Sequence, residues 1–265
     1  MNEIMYDQSS ATIAVLLFVA LIVATELTFH LGRRSINNTT EAKKTQITAI
    51  QGSILGVLAL LLGFTFSLSL QRFDSRSEAV VSEANAIGTA VLRSDLLPPA
   101  YRSDARQKLK QYLDLRVQAG VISLDYQDQR QTIVLQSNRV LEEIWRLAAE
   151  AAGVEPNPVT TGLFIQAVNE VIDSYGSRDA ELNRHVPETV LFLLLVTLVM
   201  TASLVGYGSG VSGHRASLAT HVLYLLIVLM VFLIIDLDRP RRGLIEVSQQ
   251  SMLDLQTSIS ESITR

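Results

Sequence analysis

Between Ile47 and Leu70 the chain carries no ionisable side chain. At about 1.5 Å of rise per residue, that run taken as a helix reaches across a hydrocarbon layer roughly 30 Å thick. The helical pattern does not stop at the membrane boundary. From Arg72 onward apolar residues recur at Phe73, Val80, Ala84, Ile87 and Val91, and no glycine or proline pair interrupts them before Pro98-Pro99. One helix is therefore expected to cross the membrane and continue into an aqueous domain.

Three other runs are long and apolar enough to span: about 10–31, 188–207 and 218–236. The first is too long for the core of a signal peptide and follows a short stretch without Lys or Arg, so it reads as a retained span. Hydrophobic residues make up 48% of the chain and mean hydropathy is positive, as in a membrane protein with an aqueous part rather than a soluble enzyme. Net charge is −4 with no long basic block, which argues against a nucleic-acid partner, and the absence of cysteine excludes thiolate metal sites and thiol nucleophiles. The expected fold is an all-α membrane protein with four transmembrane helices and a helical aqueous domain inserted between the second and third. Residues 1–70 would hold spans one and two, 71–187 the aqueous domain, 188–236 spans three and four, and 237–265 an amphipathic tail.

Within the aqueous domain helices are expected over about 101–120, 125–152 and 160–185, with charges of both signs mixed along them. No metal-ligating pair, phosphate-cradling loop or catalytic constellation occurs there, so neither an enzymatic site, a metal site nor a cofactor is expected. The segment GSGVSGHRAS after Tyr207 reads as a glycine-serine connector between spans three and four.

Two groups of ionisable residues bear on function. Glu26 and His30 lie four apart inside the first span and share a helical face. They could form an intramembrane ionisable pair, or lie at headgroup level with Glu26 reaching Arg33, Arg34 or water. Asp236, Asp238, Arg239, Arg241 and Arg242 cluster at the end of the last span, where they could contact lipid headgroups or bind an ion, or form a structural turn pinned by salt bridges. In the second span Gly52, Gly56, Ala59, Gly63 and Ser67 repeat every three or four residues, a face that lets another helix or a symmetry mate approach closely.

The run Leu62-Gly63-Phe64, followed by Arg72-Phe73, resembles the second helix of bestrophins. EANAIGTAVLRSDLLPPAYR at 83–102 and DRPRRGLIEVS at 238–248 resemble the bacterial bestrophin-like family. Bestrophins are pentameric anion channels whose second helices line a hydrophobic neck. The resemblance thus implies a homo-oligomer, a pentamer by analogy, passing inorganic ions, with Phe64 at a neck position. Leu60 and Gly56 continue that line one and two turns earlier, and Ser67 follows it. Gly56 is small where a bulky constriction is expected, which implies a wider or differently gated neck. Arg72, Asp74 and Arg76 would stand at the pore mouth.

An oligomeric channel lined by the second helix is the function expected. A non-conducting membrane scaffold or sensor, and a proton-coupled transporter using Glu26 and His30, are the alternatives. The short connectors carry Arg33, Arg34, Lys43, Lys44 and Arg215, and the first helix alone favours an external aqueous domain; the larger basic total of the opposite side and the bestrophin resemblance favour a cytoplasmic one, in what the resemblance implies is a bacterial inner membrane. Membrane lipids are the other partner.

Overall fold

The computed structural model describes residues 9–122, 127–239 and 243–264. The described residues form helices and contain no strand: α1 (Ser10–Arg34), α2 (Glu41–Arg93), α3 (Pro99–Val121), α4 (Gln127–Val154), α5 (Thr161–Leu182), α6 (Glu188–Val211), α7 (Leu218–Asp238) and α8 (Gln250–Thr264). The fold is all-α. Four of these helices, α1, α2, α6 and α7, are long and apolar enough to cross a membrane. Only 22% to 33% of the most apolar stretch of each is buried in the subunit, leaving much of their apolar surface for lipid or for other copies.

α2 runs unbroken for 53 residues, or about 80 Å at 1.5 Å per residue. It starts at Glu41, before its apolar run, because the polar turn Glu41–Gln46 is itself helical and the Lys44 amide donates to Thr40 (3.1 Å). Ser9 caps α1 by accepting from the Thr12 amide (3.1 Å), and Pro99 opens α3 at a position where its missing N–H costs nothing. α4 continues past its expected end near residue 152, and Gly153 lies inside its last turn.

The chain folds as two compact units. The first contains α1, α2 as far as Arg72, α6, α7 and residues 243–245. Its core joins Leu17 and Leu21 of α1, Leu58 and Leu62 of α2, Leu194 and Leu198 of α6, and Val228 and Ile234 of α7. α1 and α6 approach backbone to backbone. A Cβ at Gly206 would overlap the Thr25 carbonyl, one at Gly210 the Phe29 carbonyl, and one at Gly32 the Tyr207 carbonyl. Small residues are what permit such contact in lipid, where packing rather than water exclusion drives helix association. This contact explains why α6 stays helical through Gly208–Val211, which the sequence suggested was connector. The true connector is shorter, and it turns at Gly213, whose φ of +79° is left-handed. Thr25 donates to the Leu21 carbonyl (2.8 Å) and shares a 2.8 Å hydrogen bond with the Tyr224 hydroxyl, tying α1 to α7.

The second unit contains α2 from Phe73, α3, α4, α5 and α8. Val80, Ala84 and Ile87 of α2 pack with Leu109 and Leu113 of α3, Ile144 and Leu147 of α4, Phe164 and Val168 of α5, and Met252 and Ile259 of α8. Leu253 of α8 is turned outward.

Inside this apolar core lies Glu83, with no exposed surface. Its carboxylate accepts from Arg116 (2.6 and 3.1 Å), from Arg178 (2.6 Å) and from the Tyr112 hydroxyl (3.0 Å). Arg116 also stacks over the Tyr175 ring at 4.7 Å, and Arg178 donates to Gln249 (2.6 Å) just before α8. Burial alone would raise the Glu83 carboxyl, yet the charges and hydrogen bonds of Arg116 and Arg178 outweigh it and hold it below its ordinary value of 4.5. Burial, reinforced by the Glu83 charge, pushes the Tyr112 hydroxyl up, so it stays protonated and donates.

A carboxyl with a depressed native pKa contributes stability above its unfolded value and loses that contribution as pH falls through the native one. Thermal melts should thus be insensitive to this group above about pH 5 and fall below it. Glu83→Gln leaves two buried guanidinium groups without their anion and should cost about 3–5 kcal/mol at neutral pH, while removing the Glu83 part of the acid-side decline.

Candidate functional site

Along its apolar stretch α2 has two unlike faces. Leu58, Leu62, Thr65 and Ser69, spaced four, three and four, are buried. Leu60 and Phe64 are 59% and 61% exposed, Val57 is exposed beside them, and Gly56 and Ser67 lie on the same side. A Cβ added at Gly52, Gly56 or Gly63 would meet nothing within 4 Å. The repeat of small residues therefore packs against no part of its own subunit. Among the four span helices the close glycine contacts are on α1 and α6 instead.

Among the hydroxyls of this helix, Ser53 and Ser67 are on the exposed side, whereas Thr65 is buried and bonded to the Leu61 carbonyl (2.7 Å). The open face thus presents glycine, leucine, phenylalanine and serine, with no charge.

Of the three residues expected at the mouth, Arg72 is half-buried and Asp74 exposed. Arg76 is turned inward, with 2% of its surface exposed, and donates to the carbonyls of Glu181 (3.1 Å) and Arg184 (2.6 Å). These oxygens lie at and just beyond the end of α5, where carbonyls lack helical partners. Arg76 closes that helix end rather than facing solvent.

Glu26 and His30 lie 3.5 Å apart with both side chains about half exposed. The stronger partner of Glu26 is Arg215 of the α6–α7 connector, at 2.9 Å, neither Arg33 nor Arg34. Arg215 also stands over the Phe29 ring.

At the far end of α7 the acidic cluster is almost wholly buried. Asp236 accepts from the amides of Leu244 (2.8 Å) and Ile245 (2.9 Å), and Asp238 from the amide of Val186 (3.0 and 3.1 Å), with the His185 ring 3.9 Å away. Arg239 is buried and donates to the Ser10 hydroxyl (3.2 Å). Arg241 and Arg242 lie outside the described residues. Of the two readings of this cluster the geometry favours a pinned turn: both carboxylates are committed to backbone amides, and no group of three His, Asp or Glu able to hold a metal occurs among the described residues.

The Glu83, Arg116 and Arg178 cluster was not singled out from the sequence. Its signal was present in the phase of α2, where Glu83 falls on the same stripe as Val80 and Ile87.

The arrangement defines an all-helical integral membrane protein with an uncharged, unpartnered face on one span. A family model of the Bestrophin-like domain matches residues 16–252, and the chain belongs to the bestrophin-like family. Membership supports an ion channel rather than an enzyme at the level of the family. The fold is that of crystal structures of a bacterial bestrophin homolog from Klebsiella pneumoniae. A tryptophan-to-alanine variant superposes with a TM-score of 0.69 at 15% identity, covering 97% of this chain and 99% of that one. A tyrosine-to-alanine variant gives 0.66 at 16% identity, covering 95% and 99%. The structure phased on zinc gives 0.65 at 17% identity, covering 93% and 98%. Comparison with curated proteins finds no match.

Gly243 tests the pinned turn. A Cβ there would lie 2.5 to 2.7 Å from the Asp236 carboxyl group. Gly243→Ala should displace that carboxylate from its two amides and cost about 1–3 kcal/mol, read as a lower melting temperature in detergent. Gly153→Ala, in a helix with open space around it, should be neutral or slightly stabilising in the same assay.

Proposed function

We propose that this chain is one subunit of a homo-oligomeric channel that passes inorganic ions down their gradient, with α2 of each copy facing the conduction path. The observation that carries this reading is the open face of α2: Gly52, Gly56 and Gly63 have nothing within 4 Å, and Leu60 and Phe64 project from the same side. Exposed leucines on α1 and α7 fit a lipid boundary equally well. A run of bare glycines does not, because it offers lipid tails little to pack against and offers a second helix close approach.

In an assembly around an axis, Gly56, Leu60, Phe64 and Ser67 form successive layers along the path. Leu60 and Phe64 supply a hydrophobic constriction that conducts when wetted and closes when dry. The face has no fixed charge in the membrane, so ion preference is set outside it, with Arg72 and Asp74 as the groups at the mouth. The aqueous helices form the vestibule. The family resemblance supports five subunits and a cytoplasmic vestibule in a bacterial inner membrane.

Purified protein reconstituted into planar bilayers should carry current under a salt gradient. Phe64→Ala should raise the open fraction or the unitary conductance severalfold by removing the bulk of the constriction. Absence of current across salts, pH and voltages would defeat the channel reading, and an unchanged Phe64→Ala current would defeat the neck assignment. A detergent-corrected mass equal to one 29.2 kDa chain would leave no axis for a shared path.

A further inference from the structure

A crevice of about 270 Å³ opens between the start of α2, the end of α6 and the α6–α7 connector. Lys44, Thr48 and Gln51 line it from α2, and Ser209, His214 and Arg215 from the other side. The sequence fixes the level at which it meets the lipid. The ion-free run of α2 begins at Ile47, one turn past Lys44, while α6 ends at Val211 and α7 begins at Leu218. Three helices changing from apolar to polar at one level mark the headgroup layer, and the crevice lies in it.

Its chemistry favours an oxyanion. Lys44 Nζ lies 2.8 Å from Glu41, whose side chain is 87% exposed, and Arg215 lies 2.9 Å from the half-exposed Glu26. Ion pairs as exposed as these hold weakly, so both cations can turn to an anion in the crevice at little cost. The Ser209 hydroxyl adds a short-range donor, while the Thr48 hydroxyl donates to the Lys44 carbonyl (3.1 Å) and His214 Nδ1 lies 2.9 Å from the Ser212 carbonyl. Gln51 donates its amide to the Leu204 carbonyl (2.8 Å), which keeps the floor polar and in place. Around the site the two connectors carry Arg33, Arg34, Lys43, Lys44 and Arg215 against the single acid Glu41. Such an excess attracts anionic lipid.

We infer that this crevice binds a phosphate oxyanion, held by Lys44 and Arg215, and that its source is the headgroup of an anionic phospholipid. Depth selects the lipid source, since a headgroup phosphate already resides at this level. Free inorganic phosphate offers the same oxygens and is the competing source.

The test uses the full chain in mild detergent, with binding of dioleoylphosphatidylglycerol, dioleoylphosphatidylcholine and inorganic phosphate followed by native mass spectrometry and by thermal shift. Phosphatidylglycerol should bind in preference to phosphatidylcholine. Lys44→Gln and Arg215→Gln should each weaken it about fivefold. Glu26→Gln should leave binding intact or tighten it, because it releases Arg215, and this separates a ligand site from a merely structural ion pair. Circular dichroism of every variant should show unchanged helix content. Equal binding of the two lipids, undiminished binding in the Lys44→Gln, Arg215→Gln double variant, or loss of binding in Glu26→Gln would each overturn the site. Inorganic phosphate bound with the same dependence on Lys44 and Arg215, without phosphatidylglycerol, would uphold the oxyanion site and overturn the lipid source.

Discussion

Backbone amides in hydrocarbon have no water to bond to, so a chain can cross only as intact helix, and that constraint shapes α2 more than any side-chain contact does. Through its apolar stretch every peptide group must stay within the helical ladder. Beyond its apolar run the helix meets no proline before Ser94, so it continues and lends Val80, Ala84 and Ile87 to the core of the second unit. One element thus serves two cores, and its side chains change from glycine, leucine and phenylalanine to alanine and paired charge accordingly.

Glycine plays opposite parts within the membrane unit. Gly32, Gly206 and Gly210 bring α1 and α6 into backbone contact, and a Cβ at any of them would overlap a carbonyl. Gly52, Gly56 and Gly63 of α2 meet nothing. The first set is explained within the subunit. The second set has no partner within the subunit, and it is this face that the proposed assembly would bring against further copies of α2.

The four spans, the all-helical fold and the family were legible in the sequence, because ion-free runs and the pieces around Phe64, Arg93 and Arg239 carry those signals locally. The end of α6 was not. GSG reads as a connector unless one knows that α1 lies against it. Nor was the Glu83 cluster, since Arg116 and Arg178 are 33 and 95 residues away and a lone acid on an apolar stripe names no partner. Arg76 shows the same limit: at a membrane boundary it reads as a mouth charge, and only the fold brings it to the carbonyls of Glu181 and Arg184. For Glu26 the sequence indicated headgroup-level pairing as one outcome, but its partner, Arg215, lies on a distant connector.

The chain has no cysteine, so single cysteines can be placed along α2 without a background. Residues 53 to 69 would be replaced one at a time and each channel treated with a charged thiol reagent during current recording. Modification that alters current at positions 53, 56, 57, 60, 64 and 67, and spares 58, 62, 65 and 69, is the result expected of a path along the open face. Modification in the opposite phase, or with no helical period, would contradict it.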